Sequence, residues 1–564
     1  MKRYICCTLL IIASLHFLDA SPLRERVYLQ TDKQLYLAGE SVLLKVVSLD
    51  QEQIPLTLSK IAYVELVGDS IARLQIMIEL TDGTGSGQMQ LPANLPTGYY
   101  RLIAYTQYMR NEGDDVFFEK NIAVVNTFLS GYHLVETEAI TEQHFLLTSL
   151  PDLSTGEGAG MVSLQTDKAA YTTRERGQLI LNGLPENIHT LSVSVAGKDM
   201  IPVTESAHSL FQKNKLKQPE MYTGEFLPEY EGHIVTGTIV DNETEKPVTD
   251  NVSIVSGISF PGEDGIRFFL GQKIKTSDVR FFTSNISGAK EIASVVYLQG
   301  EKYHIAIQSP FISRFAPKQM PQLHIDSAYY DQLIDRSVAL QVFRYFMEDP
   351  SANRNVSEPF LMTKPTWSYP LDDYTRFTTM GEIFIEFIDG ARFRRNAAGM
   401  QEISVLVYEG NDVYRYGTMP LVLLDGVPVN DHETIYNYDP LTVERINIYW
   451  GPIIFGGNNF DGIVELTTYR RLYQDLNVNK STQIISYEAP QLPLSLNIPV
   501  YPEGKNSVAM MPDSRHTLLW NPDIQTNGQI SFSTSDLTGV FQATVEGITK
   551  DGQFIFATVV FMVE

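Results

Sequence analysis

The side chains that could do chemistry are spread along this 564-residue chain without forming a catalytic motif. A zinc pair on one helix needs two histidines four residues apart. No two of the ten histidines lie closer than about eleven residues, and the Gly-x-Ser-x-Gly turn of serine hydrolases is absent. We therefore predict no catalytic, cofactor-binding or metal-binding residues, no cofactor, and no enzymatic activity.

Two acidic pairs and one glycine run have simpler explanations than a catalytic site. Asp114-Asp115 and Asp372-Asp373 are expected on solvated faces or at helix caps, and a glycosidase pair built from distant carboxylates stays an open alternative. The run Thr-Asp-Gly-Thr-Gly-Ser-Gly at 81–87 lacks the Lys-Ser/Thr that completes a phosphate-binding loop. We expect a β-turn between strands there.

Aromatic side chains are the remaining candidates for a ligand site. An exposed aromatic ring can stack on a sugar or a peptide, whereas a ring in a β-domain usually belongs to the core or to a strand face. Both interpretations apply to Tyr99, Tyr100, Tyr105, Tyr108 and Trp450.

The composition is typical of a globular protein and argues against nucleic-acid binding. Apolar residues make up 43% and aromatic residues 11%, which is enough for several cores. With 43 Lys and Arg against 67 Asp and Glu, the net charge is −24, whereas a nucleic-acid-binding surface must be basic. The length corresponds to roughly three to five domains.

The first twenty residues have the layout of a secretory signal peptide. A basic start precedes an apolar run from Ile5, and Ala20 is a small residue suited to cleavage. Cys6 and Cys7 lie inside the run, too early for a lipoprotein, so the mature chain would have no cysteine and a net charge of −25. No later segment is long and apolar enough to span a membrane. We expect an exported protein, periplasmic or associated with the outer membrane.

A segment near the start of the mature chain is repeated. Val-Tyr-Leu-Gln-Thr-Asp-Lys at 27–33 returns as Val-Ser-Leu-Gln-Thr-Asp-Lys at 162–168, which predicts two related β-domains. Asp32 and Asp167 are expected as turn residues. The tyrosine three positions after each lysine is expected to bury its ring and keep its hydroxyl in water.

This opening, together with Gly39-Glu40 and the segment LPTGYYRL at 95–102, resembles the macroglobulin domain of bacterial alpha-2-macroglobulin-like proteins. The resemblance implies a β-sandwich over 21–128, a linker at 129–160, and a second macroglobulin-like or Ig-like β-domain over 161–228. Full alpha-2-macroglobulins trap proteases through a thioester built on a cysteine. Because the mature chain has none, protease trapping is the least favoured interpretation.

The middle of the chain resembles a carboxypeptidase-regulatory-like β-sandwich, which has no peptidase centre of its own. The resemblance covers 229–315 and rests on two strands flanking a turn with Lys-Pro-Val at 246–248. A connector at 316–370 follows. Its apolar residues recur at helical spacing and predict a helix over 327–347.

Three strand-like segments then resemble the plug domain of TonB-dependent outer-membrane receptors. They are PLVLLDGVPV at 420–429, VERINIYWGP at 443–452 and GIVELTT at 462–468, within a domain placed at 371–470. Too few residues follow for the roughly 220 residues of a 22-stranded barrel. We expect them to form an Ig-like β-domain over 471–564.

This series of modules is similar to envelope proteins of the Bacteroidota. The predicted fold is mainly β, a string of macroglobulin and Ig-like sandwiches plus one α+β plug-like domain. The predicted function is a non-enzymatic modular binding or scaffold protein of the outer-membrane periphery, whose loop at 452–460 contacts another outer-membrane or periplasmic protein. The alternative is an accessory subunit of a TonB-dependent nutrient-uptake system that binds a glycan or a peptide.

Overall fold

The computed structural model describes most of the chain after the predicted signal peptide. The described residues are 23–129, 133–135, 162–198, 210–212, 222–261, 266–297, 299–326, 329–346, 364–409, 412–414, 420–455, 458–470, 481–492 and 512–564. The signal peptide predicted at 1–20 and nearly all of the linker predicted at 129–160 lie outside these ranges. The described residues are mainly β, as predicted.

The first domain is a β-sandwich of eight strands in two sheets. Its strands are β1 (Glu25–Thr31), β2 (Leu35–Leu37), β3 (Ser41–Asp50), β4 (Ile61–Gly68), β5 (Ile71–Glu79), β6 (Thr84–Gln90), β7 (Gly98–Tyr105) and β8 (Phe118–Val125). One sheet has the order β1-β3-β6 and the other has the order β2-β8-β7-β4-β5. Residues on both faces of β3 are buried, because one face lies in the core and the other is covered by a second sandwich.

The other described residues build two more sandwiches and an α+β domain. The elements are β9 (His133–Val135), β10 (Ser163–Thr166), β11 (Ala170–Tyr171), β12 (Arg176–Asn182), β13 (Ile188–Gly197), β14 (Ile234–Asp241), β15 (Lys246–Pro247), β16 (Ser256–Ser259), β17 (Phe268–Leu270), β18 (Gln272–Lys273), β19 (Asp278–Phe282), β20 (Glu291–Val296), β21 (Tyr303–Ile307), β22 (His324–Asp326), α1 (Tyr330–Phe346), β23 (Trp367–Pro370), α2 (Met380–Glu386), β24 (Ala391–Arg395), β25 (Gln401–Val405), β26 (Val407–Glu409), β27 (Asp412–Tyr414), β28 (Leu421–Leu424), β29 (Val427–Pro428), α3 (His432–Tyr436), β30 (Val443–Phe455), β31 (Asn458–Thr468), β32 (Thr482–Ser486), β33 (Thr517–Asn521), β34 (Gln529–Ser533), β35 (Gly539–Thr549) and β36 (Phe554–Val563).

The domain predicted at 161–228 and the domain predicted at 471–564 each supply half of one sandwich. Strand β12 lies between β10 and β34, and β13 lies between β35 and β33. Both halves contribute to one core, with Leu179 and Val193 from the first half and Val545 and Phe561 from the second. The predicted boundaries are corrected accordingly. Alternating polarity identifies a strand, but it does not say which distant strand pairs with it.

The middle sandwich is likewise built from two segments that are distant in the chain. Its strands β14–β21 are joined by β32, which pairs with β20 after the chain has passed through the α+β domain at 364–470. The α+β domain is therefore inserted in the middle sandwich, and the middle sandwich is inserted in the second one. The segment at 229–315 contains β14–β21 but not β32, which completes the sandwich.

The α+β domain has a five-stranded sheet of order β23-β30-β31-β28-β29, with α2 and α3 packed in the same core. An Asp-Gly turn joins β28 to β29. Asp425 and Gly426 have φ angles of 50° and 83°, and glycine adopts this left-handed conformation without strain. Helix α2 begins at a capping box between Thr379 and Glu382.

Helix α1 lies within the helix predicted at 327–347 and packs against the first domain. Its Arg336 donates two hydrogen bonds to the buried carboxylate of Glu40, at 2.9 and 2.8 Å. Among the described residues, none of the helices is both long and apolar enough to cross a membrane.

Ending the chain at residue 511 is expected to unfold the second sandwich. The truncation removes β33–β36 and leaves the apolar residues of β12 and β13 without their partners. We expect the amide hydrogens of 176–197 to exchange at the rate of an unfolded chain, while those of β4 and β7 stay protected. Hydrogen exchange measured by mass spectrometry checks this. Retained protection at 176–197 would show that this half folds without the C-terminal strands.

Candidate functional site

The repeated Asp-Tyr pair forms the same turn in both copies. Tyr36 donates its hydroxyl hydrogen to Asp32 Oδ1 at 2.8 Å, and Tyr171 donates to Asp167 Oδ1 at 2.6 Å. The same carboxylate oxygen also accepts a main-chain N–H, from Leu43 on β3 in the first copy and from Gln178 on β12 in the second. Each aspartate therefore fixes a turn. The tyrosine hydroxyls are bonded to carboxylates instead of being left in water, which differs from the expectation.

The first domain and the second sandwich meet through polar groups on or next to β1 and β3 of the first domain and on β13, β33 and β35 of the second sandwich. The pairs are Tyr28 with Glu546 (2.9 Å), Ser192 with Gln30 (2.6 Å), Ser194 with the Asp32 carbonyl (2.7 Å), Lys45 with Thr190 (2.6 Å) and Thr517 with Asp32 (2.9 Å). Hydrogen bonds compensate these groups for the loss of water. The interface therefore holds the two domains in one defined orientation.

A cleft of about 170 Å³ lies at one end of this interface, and we name it the β6 cleft. Strand β6, the segment at 481–492 and the loop after β33 meet there. The residues that line it are Lys45, Glu79, Thr81, Thr84, Gly85, Ser86, Gln491, Pro522 and Asp523. The β6 cleft thus combines two carboxylates, one amine and the edge of a strand, and it is the candidate functional site.

Lys45 is the most perturbed group of the β6 cleft. It is 1% exposed, and its Nζ donates to Thr190, whose hydroxyl in turn donates to Asp523 at 3.1 Å. Burial lowers the pKa of Lys45 to about 7, although Asp523 and Glu546 act in the opposite direction. Lys45 is not among the residues that the sequence predicted for a site. The available signal was a lysine in the apolar run Val-Leu-Leu-Lys-Val-Val at 42–47.

A second polar cluster joins the first domain to the middle sandwich. Glu229 accepts the Tyr63 hydroxyl at 3.0 Å and lies 2.8 Å from His233 Nδ1. The other ring nitrogen of His233 bonds to the hydroxyl of Tyr487. All four side chains are buried, and none of them lines the β6 cleft. Their contacts hold three separate chain segments together.

The predicted aromatic candidates are not brought together. Tyr100 and Tyr105 belong to the core of the first domain, and Tyr105 donates to Glu65 at 2.6 Å. Tyr99 and Tyr108 are partly buried. Trp450 is 40% exposed, but it belongs to the α+β domain. An aromatic platform made of all five residues is therefore not present.

The acidic pairs lie at short 3₁₀ helices, Asp114–Val116 and Leu371–Asp373. Asp372 accepts hydrogen bonds from Arg376 and Tyr469, at 2.6 Å each. These bonds lower the pKa of Asp372, with the tyrosine contributing most. Within the described ranges, no group of three or more ligating side chains could hold a metal ion.

The contact loop predicted at 452–460 is part of a long hairpin. Strand β30 continues past an irregularity in its pairing at 450–453, and β31 begins at Asn458. The ring of Phe460 is buried against Phe268 and Tyr297 of the middle sandwich, at 6.1 and 5.8 Å between centroids. This end of the predicted loop is therefore an internal contact and not an exposed one.

Comparison with known proteins identifies the first domain. Among solved structures, the Salmonella alpha-2-macroglobulin reacted with methylamine is 10% identical over 96% of this chain and 39% of its own, with a TM-score of 0.22. The native conformation of the E. coli alpha-2-macroglobulin is 10% identical over 97% and 40%, with a TM-score of 0.23. The chain thus spans about two fifths of the length of those proteins. No curated protein matches it. Residues 26–119, which make up most of the first domain, match the family described as the MG2 domain.

Proposed function

We propose that this chain is a non-enzymatic modular binding or scaffold protein of the bacterial outer-membrane periphery. The β-sandwiches serve as its frame, and the α+β domain contacts another envelope protein. The signal-peptide pattern at 1–20 and the plug-like strands at 420–468 support this location.

The observation that carries the proposal is the packing of the α+β domain against the middle sandwich. Leu421, Leu423 and Ile463 on one face of its sheet pack against Phe268 and Val295 of the middle sandwich. The other face packs on α2 and α3. Packing against the middle sandwich, into which it is inserted, therefore holds the α+β domain at a fixed position.

Large apolar side chains of the α+β domain are exposed at α2 and around Arg376. Ile385 is 76% exposed on α2, and the ring of Tyr374 stacks on Phe387, one residue past that helix, at 4.2 Å. Tyr469 and Leu441 are also exposed. Arg376 links them, because it donates one hydrogen bond to the Tyr469 hydroxyl and another to the carbonyl of Pro440, the residue before Leu441. We name Tyr374, Ile385, Leu441 and Tyr469 the α2 surface. Exposed apolar surface of this kind marks protein contacts.

Photo-cross-linking in cells tests the proposal. A photoreactive phenylalanine analogue at Ile385 is expected to give one discrete product with an envelope protein. The matched control places the analogue at Val338, which is 53% exposed on α1, and is expected to give none. A chain that forms no discrete product at Ile385 and fractionates as a free monomer would contradict the proposed contact.

A further inference from the structure

One residue of β6 turns its main-chain groups toward the β6 cleft. In an antiparallel pair, successive residues point their N–H and C=O groups alternately toward the partner strand and away from it. The main-chain N–H and C=O groups of Thr84 and Gln88 point away from β3. Those of Thr84 exchange two hydrogen bonds with Thr81, and those of Gln88 bond to the side chain of Gln491. Ser86 lies midway between them, opposite Lys45, so its N–H and C=O also point away from β3. No hydrogen bond from a described residue reaches these two groups.

The neighbouring position shows which chemistry fits this edge. The side-chain amide of Gln491 accepts the N–H of Gln88 at 2.9 Å and donates to its C=O at 2.8 Å. An amide thus pairs with β6 as a residue of an added strand would. Ser86, two residues earlier on the same edge, offers the same donor and acceptor to a second amide.

The charges of the β6 cleft select among amide ligands. Glu79 and Asp523 carry two negative charges, and Lys45 carries at most one positive charge. The net charge of the cleft is therefore negative in either protonation state of the lysine. A ligand with a cationic side chain is favoured over one with an anionic side chain.

The volume limits how much of a ligand can enter. The cleft, at about 170 Å³, is smaller than the roughly 300–1,000 Å³ of pockets that enclose a whole drug-sized ligand. One residue of an extended peptide fits this space, while its neighbours stay outside.

We propose that the β6 cleft binds an extended basic segment of a partner protein, with one residue pairing through its main chain to Ser86 and its cationic side chain facing Glu79 and Asp523. This site lies on a different domain from the α2 surface and does not depend on the contact proposed there.

Saturation-transfer NMR on the full chain with three short peptides tests this site. Acetyl-Val-Lys-Val-amide is expected to bind. Acetyl-Val-Glu-Val-amide tests the charge of the side chain. The lysine peptide with a methyl group on the main-chain nitrogen of its lysine tests the main-chain hydrogen-bond donor. Both are expected to bind about tenfold more weakly or not at all. Equal binding of the glutamate or N-methyl peptide, or no binding of the lysine peptide at millimolar concentration, would overturn the proposal.

A pair of variants then places the binding in the β6 cleft. The double variant Glu79→Gln/Asp523→Asn is expected to weaken binding of the lysine peptide about tenfold. The double variant Glu243→Gln/Asp331→Asn also removes two carboxylates, both exposed and outside the cleft, and is expected to bind like the parent chain. Equal loss in both variants would show only long-range attraction and would reject the site. The result is separate from cross-linking at Ile385, so either proposal can fail alone.

Discussion

Glu112→Ala is expected to destabilise the first domain by about 3–5 kcal/mol. The carboxylate of Glu112 accepts two hydrogen bonds from the guanidinium of Arg26, at 3.0 and 2.9 Å, and both side chains are almost fully buried. Without Glu112, the Arg26 charge stays buried with only the Glu25 carbonyl as a partner. An uncompensated buried charge costs much more than the pair contributes.

The protection of β1 against hydrogen exchange measures this effect, because unfolding of a multidomain chain is not a single transition. A matched control replaces both partners, as Arg26→Met/Glu112→Leu, and is expected to recover most of the lost stability. If the double variant is as unstable as Glu112→Ala, then packing of these side chains, and not charge, is what the domain requires.

Lys45→Met is expected to stabilise the folded chain at pH 6 and to have little effect near pH 10.5. The pKa of Lys45 is about 7 in the folded chain, against about 10.4 for an unfolded lysine. Below pH 7 both states are protonated, and the folded state bears the full cost of a buried charge. Between pH 7 and 10.5 the unfolded state binds more protons, so the stability of the parent chain rises with pH. The expected gain at pH 6 is on the order of a few kcal/mol.

Thermal unfolding of the parent chain and the variant across this pH range measures the difference. Lys290→Met is the control, because the Lys290 side chain is 71% exposed and ordinary solvation keeps its charge inexpensive. The expected curves for Lys45→Met and the parent chain converge as pH rises. A difference that does not change with pH would mean that packing of the methionine, and not the lysine charge, is responsible.

The sequence predicted individual strands and turns well where local preferences decide them. The strand segments at 420–429 and 462–468 are present as β28, β29 and β31, and the Asp-Gly turn occupies the left-handed conformation that these residues favour. The run at 81–87 was predicted as one β-turn. The turn takes only Asp82 and Gly83, and β6 begins at Thr84.

The candidate site could not be read from the sequence. Lys45, Ser86 and Asp523 are far apart in the chain, and the β6 cleft forms only because the strands after residue 511 return to the second sandwich. The lysine in an apolar run was a usable signal for an unusual environment. Neither the carboxylates beside it nor the open strand edge leaves a pattern along the chain.

The sequence by itself determined that this chain is mainly β, that its opening resembles a macroglobulin domain, and that the Asp-Lys turn recurs. These features depend on side-chain alternation and on residues a few positions apart. The tertiary structure decided which strands share a sheet, that the middle sandwich and the α+β domain are nested inside the second sandwich, and where charged groups meet. The physical reason is that a strand's hydrogen-bonding edge is the same for every partner. Pairing is selected by packing between segments that the order of the chain keeps hundreds of residues apart.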